Sequence, residues 1–214
     1  MTKFFKIQLM FLAFVVAPTV WGADDMKQFM SSADEKVDNI FLGLSRNTRL
    51  DMIDYFEAGL EAFSYDDNFG SSVRIDTLED RHVRLATNTQ LAVDFYLIAA
   101  GSDSLAVAAV TYPVGDGDVR VFVDDVRTGK TIDSLNPQYS DWLLKDALKN
   151  FSESELLAAI PFIAARAEVD VPTAVITLFN TSVTVPGLDP AILKAYKTEL
   201  RYKWNGKKYV PIKQ

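Results

Sequence analysis

The sequence predicts an α+β fold in which N-terminal helices pack on an antiparallel β-meander, followed by a second helix-plus-antiparallel-sheet region. Three observations carry that expectation. Apolar residues recur at a helical period up to about residue 60 and alternate from Ser72 onward. The separators between the alternating runs are too short for crossover helices, so neighbouring strands must run antiparallel. The order then repeats, with helical spacing from Tyr139 and alternating strands that close around Asn205-Gly206.

In chain order, Met26, Phe29, Met30, Ala33, Val37, Ile40, Phe41 and Leu44 recur at helical steps, with a break at Ser31-Ser32 that divides them into two short helices. A longer helix follows, capped by Asn47 and carrying the stripe Leu50, Ile53, Phe56 and Leu60. Tyr65-Asp66-Asp67-Asn68 and Gly70 make a loop. Val73–Thr77, Arg81–Ala86, Gln90–Ile98, Leu105–Tyr112 and Val119–Asp124 read as strands, and Arg127-Thr128-Gly129-Lys130 as a turn. Tyr139–Asn150 is helical. Ser152 caps a short helix that Ile160-Pro161 ends, because a residue before proline avoids the helical region. Phe162–Glu168 and Ala174–Phe179 are strands. Asp189 caps a helix opened by Pro190 and running through Tyr196. Glu199–Trp204 and Lys207–Ile212 form a hairpin about Asn205-Gly206. The spacing Ser45–Leu50–Ile53–Phe56 recurs as Ser152–Leu157–Ile160–Ile163, which hints at a duplicated helix-and-four-strand unit.

Lys3 and Lys6, the apolar run Ile7–Val16, Pro18 and Val20-Trp21-Gly22 together read as a secretory signal peptide over residues 1–22, cleaved ahead of Ala23. Residues 23–135 then hold the first helices and meander, and residues 136–214 the second unit. No Pro/Gly/Ser-rich linker separates them near residues 132–140, so they are expected to pack as one body. The chain has no cysteine, which excludes disulfides, thiolate nucleophiles and cysteine metal sites, and removes the lipoprotein route. A cysteine-free exported chain suits a bacterial periplasm or medium. Loss of Lys3 and Lys6 leaves 20 basic against 29 acidic residues, a net charge of −9. Such a chain repels phosphate backbones and anionic bilayers, which argues against nucleic-acid binding and against membrane insertion once the leader is removed. With 49% hydrophobic and 12% aromatic residues, it is a folded chain and not a disordered one.

The stretch Leu44-Ser45-Arg46-Asn47-Thr48-Arg49-Leu50-Asp51-Met52-Ile53-Asp54-Tyr55-Phe56 resembles the signature of a family of secreted Bacteroidales proteins known as domain of unknown function 3256. Glu155-Leu156-Leu157, Ile160-Pro161-Phe162 and Leu200-Arg201-Tyr202-Lys203-Trp204-Asn205-Gly206 are similar to that family too, in the same order. The resemblance implies a signal peptide, an envelope location and no assigned activity. No catalytic residue carries over from it.

Each pattern that suggests chemistry has a structural counterpart. Asp51 and Asp54 lie one helical turn apart, as a shared proton or metal would need, yet aspartates near a helix start also favour the dipole, and Arg46 and Arg49 are near enough to pair with them. In the second and third strands, Val83 and Leu85 belong to the core face and His82 and Arg84 to the other. A three-residue connection Thr87–Thr89 pairs Leu85 with Leu91 and Val83 with Val93, which sets His82 opposite Asp94. His82, Arg84, Asp94 and Tyr96 then form either a ligand-gripping face or an ordinary cross-strand charge pair, which is worth roughly 0.2–1 kcal/mol. Asp116-Gly117-Asp118 with Asp124-Asp125 suggests calcium but lacks EF-hand spacing; Gly115 to Asp118 reads as a hairpin turn and Asp124-Asp125 as the end of a strand. Tyr202 and Trp204 share one face of the last hairpin, with Tyr209 on its partner, as a glycan platform or as core.

The sequence therefore assigns no catalytic residue, cofactor or metal ligand. The function expected is a non-catalytic module that binds a protein, peptide or glycan partner through an open sheet face, secreted or periplasmic. The alternative is a carboxylate-dependent hydrolase of the cell envelope, which requires a cleft with converging Asp or Glu side chains of raised pKa.

Overall fold

A computed structural model describes residues 25–60, 72–87, 91–111, 119–184 and 187–213. The leader, the loop at 61–71 and the Asp116-Gly117-Asp118 turn lie outside these residues. The chain runs α1 (Met26–Met30), α2 (Glu35–Ile40) and α3 (Arg46–Glu57), then a meander β1 (Val73–Glu79), β2 (His82–Thr87), β3 (Ala92–Ala100), β4 (Asp103–Thr111), β5 (Val119–Asp125) and β6 (Lys130–Leu135). The second region holds α4 (Ala147–Asn150), α5 (Glu153–Ala159), β7 (Ala165–Asp170), β8 (Val175–Asn180), α6 (Pro190–Leu193), β9 (Glu199–Trp204) and β10 (Tyr209–Pro211). The strands form two antiparallel sheets, six strands in sequence order and four in the order β10-β9-β8-β7. The α+β class and the helix–sheet–helix–sheet order follow the sequence reading, while the two sheets differ in strand number.

The first three helices depend on polar caps. Asp25, Asp34 and Ser45 each accept a backbone N–H from the first turn. The cap of α3 is thus Ser45 and not Asn47. Leu42 and Gly43, with φ of 57° and 85°, reverse the chain after α2 and deliver Ser45 extended, so the helix starts early. The buried face of α3 is correspondingly Thr48, Arg49, Met52 and Ile53, and Leu60 is 55% exposed. Arg49 does not pair along the helix with Asp51 or Asp54, which are exposed. Fully buried, it donates to Met30 O (2.7 Å), Ser32 O (2.9 Å), Leu44 O and the Asp38 carboxylate (2.5 Å), and its guanidinium lies over Phe41. One cation ties the ends of α1 and α2 to α3.

The β2–β3 register places Val83 opposite Phe95, Arg84 opposite Asp94, Leu85 opposite Val93 and His82 opposite Tyr96. This is two residues from the expected pairing, because the connection falls one position later, closed by Thr87 N–H to Leu91 O at 2.9 Å and Leu91 N–H to Thr87 Oγ1 at 3.1 Å. An even shift leaves every side chain on its expected face. β6 is a strand the sequence reading lacked: as a sheet edge it buries only Leu135 and shows no apolar alternation. The expected helix 139–150 is broken. A 3₁₀ turn (Tyr139–Trp142) and α4 flank Leu143, which bridges to Tyr196, while Lys197 N–H donates to Trp142 O (2.7 Å) and Leu144 N–H to Ala195 O (2.9 Å). Backbone pairing to a distant segment overrides local helical preference there. Of the later signals, Ser152 and Glu155 form a capping box, Ile160 ends α5 outside the helical region, and Asp189-Pro190 opens α6, which stops at Leu193 and not at Tyr196.

The core lies in two sheets of contact on either side of the large sheet. Val83, Leu85, Val93, Phe95, Ala106 and Ala108 face the helices with Met26, Phe41 and Met52. From the opposite face Ile98, Leu105, Val107, Val121 and Val123 meet Ile176, Leu178, Tyr202 and Trp204 of the small sheet. The molecule is therefore three layers, and the face expected to be open is covered along β3–β5. Positions of β1 and β2 on that side (Thr77, Glu79, His82 and Arg84) are not buried.

Candidate functional site

The uncovered end of the large sheet borders an open cleft of about 800 Å³. The β1–β2 turn, Glu79 to His82, forms one lip, and Val169, Val171 and Pro172 from the β7–β8 turn form the other, with Tyr96 between them. Both sheets contribute, so the cleft exists only because the second sheet stops short of the first.

Two of the residues singled out from the sequence, His82 and Tyr96, line the cleft, and Asp94, outside the lining, joins His82 to Arg84. Asp94, 7% exposed, accepts from Arg84 Nη1 with one oxygen (2.8 Å) and contacts His82 Nε2 with the other (2.8 Å). Asp94 sits directly across from Arg84 and diagonally from His82, which differs from the expected direct His82–Asp94 pair. The second ring nitrogen of His82 faces Glu79 at 3.7 Å, and the ring stacks on Tyr96 with centroids 4.5 Å apart. Burial, and next the Asp94 carboxylate, push the Tyr96 hydroxyl up to about 12, so it remains a neutral donor. Glu79 and Arg81 also escaped the sequence reading, although the β1–β2 hairpin sets Glu79 opposite His82; the Val169–Pro172 lip escaped because packing between sheets brings it near, which no local spacing encodes.

The arrangement fixes charge and an aromatic stack, and both imidazole nitrogens are directed at carboxylates. Among the described residues no hydroxyl is hydrogen-bonded to either nitrogen, so these residues show no nucleophile–base contact of the acyl-transfer kind. The other candidates lie elsewhere. Tyr202 and Trp204, each 9% exposed, are in the core between the sheets and not on an exposed platform. Asp124 is buried on the helix side of β5, where burial raises its carboxyl pKa against a hydrogen bond from Thr131. Asp125 is bonded by Arg127 through its backbone (2.8 Å) and guanidinium (3.2 Å). Neither lines this cleft. Among the described residues no group of three His, Asp or Glu side chains could hold a metal ion, and no helix is long and apolar enough to cross a membrane.

Comparison with known proteins agrees with this architecture. No curated protein matches the chain. A solved structure of a domain of an uncharacterized protein from Porphyromonas gingivalis W83 shares the fold, with a TM-score of 0.58 at 14% identity, over 86% of this chain and 96% of that one. The model of the family described as "Protein of unknown function (DUF3256)" matches residues 21–209, and the chain belongs to that family.

Proposed function

We propose that the protein is a non-catalytic interaction module of a bacterial cell envelope, exported by the leader over residues 1–22 and docking a protein, peptide or glycan partner at the cleft beside Tyr96. The observation that carries this reading is the His82 ring, held between Asp94 at 2.8 Å and Glu79 at 3.7 Å and stacked on Tyr96. The Nε2 edge of the ring is taken by Asp94, and the stack on Tyr96 makes it a rigid, polar and aromatic wall. Cleft size falls within the roughly 300–1,000 Å³ typical of ligand sites, and its openness suits a surface contact.

The test is cross-linking of the purified protein to its native envelope fraction. Cross-links should map to both lips, and the pair Arg81→Glu and Pro172→Glu should abolish them. Undiminished cross-linking of that variant would overturn the docking site. Hydrolysis of peptides or glycans lost on Asp94→Asn would favour the hydrolase. Export is checked by an N-terminus at Ala23 in envelope material.

A further inference from the structure

A second concave surface lies at the opposite end of the small sheet and is independent of the cleft beside Tyr96. We infer that this groove, of about 770 Å³, binds an acidic extended peptide segment of a partner protein. It lies where the outer edge of β9 changes partner. Ahead of β9, Trp142 to Leu144 pair with Ala195 to Lys197; from Arg201 onward the edge pairs with Pro211 and Ile212. The two pairings leave a notch between Leu144 and Ile212, walled by Lys145, Lys197, Arg201 and Lys213.

Its charge is out of keeping with the molecule. The chain is net −7, yet four cations converge here. Among the described residues, Lys145, Arg201 and Lys213 have no carboxylate within ion-pair distance, and the Lys197 ammonium donates to the backbone oxygen of Asp141 at 2.6 Å. Of the two acidic residues at the rim, Asp146 is already paired with Lys149 at 2.5 Å, and Glu199 has a partner of its own. Clustered cations in excess of their counter-charge attract and orient an anionic partner, and on an acidic body they discriminate for it.

The apolar lining selects the class of anion. Leu143 and Ile212 are half-buried and Leu144 is 45% exposed, so aliphatic side chains can be received between the charges. An acidic glycan would meet the cations but offers no aliphatic side chains to Leu143, Leu144 and Ile212, and the groove's aromatic residue, Tyr202, is only 9% exposed. An anionic bilayer is repelled by the net charge and cannot enter a concave notch. Alternating acidic and aliphatic side chains on an extended peptide fit both the cations and the leucines.

The test is fluorescence anisotropy of the purified protein with a labelled peptide alternating glutamate and leucine, beside a lysine–leucine peptide and an oligogalacturonate. The acidic peptide should bind, and its affinity should fall by about tenfold or more between roughly 0.05 and 0.5 M salt. Lys145→Glu with Arg201→Glu should weaken it at least about tenfold. Both side chains are exposed, so unfolding midpoints should not move, and Lys213→Glu alone should give a smaller loss in the same direction. Absence of binding at millimolar peptide, equal binding of the lysine peptide or the uronate, or unchanged affinity in the double variant would each overturn the inference. Substitutions at Arg81 and Pro172 should leave this affinity unchanged, which separates its failure from that of the cleft.

Discussion

Replacing Arg49 with methionine tests the claim that one buried cation joins the three N-terminal helices. The thioether keeps the bulk of the stem and removes the fork. Three carbonyl oxygens, those of Met30, Ser32 and Leu44, lose their donor, and Asp38 loses its partner. A buried acceptor left unsatisfied costs about 1–3 kcal/mol, and the sum is reduced because the arginine no longer needs desolvating. Asp38 is 35% exposed at its side chain and regains water. The net loss expected, from three buried acceptors at about 1–3 kcal/mol each less the recovered desolvation, is about 3–5 kcal/mol, against a total stability of roughly 5–15 kcal/mol. Arg49→Lys, which reaches fewer of the acceptors, should cost about half as much. Urea unfolding followed by circular dichroism measures both, compared at a common slope. A methionine variant within about 1 kcal/mol of the parent would refute the assignment of Arg49 as a helix-joining residue.

Other positions give sharper local tests. Gly129, at φ 64°, lies against α2, where an added Cβ would sit 2.7–2.8 Å from Lys36 atoms, whereas Gly101, at φ 71°, has open space. Gly101→Ala should cost about 1–2 kcal/mol from backbone strain alone, and Gly129→Ala about 2–4 kcal/mol; equal losses in thermal unfolding would exclude the contact. Burial raises the Asp124 pKa, so its ionisation opposes folding: the penalty is absent at acid pH and grows as pH rises through the folded-state value. Asp124→Asn should therefore stabilise by roughly 0.5–2 kcal/mol at pH 7 and much less near pH 3, and a pH-independent effect would contradict this. The Tyr209 hydroxyl is buried without a hydrogen-bond partner among the described residues, so Tyr209→Phe should leave the melting temperature unchanged or raise it; a loss above about 1 kcal/mol would reveal a hidden partner. His82→Gln and Asp94→Asn in a double-mutant cycle should couple by at least about 0.5 kcal/mol, and additive losses would dissolve the network at the cleft floor.

What could be read in the sequence was whatever is decided within a few residues. The Asp189-Pro190 start, the Ser152–Glu155 box and the Asn205-Gly206 reversal are local hydrogen-bonding choices, and each appears in place. Alternation assigned the faces of β2 and β3 correctly, and because a face survives any even register shift, His82, Arg84, Asp94 and Tyr96 were gathered despite a wrong pairing. Long-range pairing escaped. Leu143 leaves a helical pattern to meet Tyr196, β6 forms because β5 offers it an edge, and Arg49 turns inward because carbonyls at the end of α1 and in the segments flanking α2 await it. The Val169–Pro172 lip joins the cleft through sheet packing alone.

The unequal sheets explain where polar chemistry resides. Four strands laid over six cover the middle of the larger sheet, and there the inner positions are Leu105, Val107, Val121 and Val123. Beyond β3 the cover ends, and the same face turns to Thr77, Glu79, His82 and Arg84, with Asp94 at the boundary. A carboxylate as buried as Asp94 needs polar partners, and β2 supplies Arg84 and His82 two residues apart, the spacing that returns both to one face. The helix side differs. There the family signature Leu44–Phe56 supplies a cap through Ser45 and a buried tie through Arg49, so its most recognisable stretch holds the helices on the sheet and takes no part in lining either concave surface. Recognition by that signature therefore reports the scaffold, while the two concave surfaces lie at the ends, where the layers stop matching.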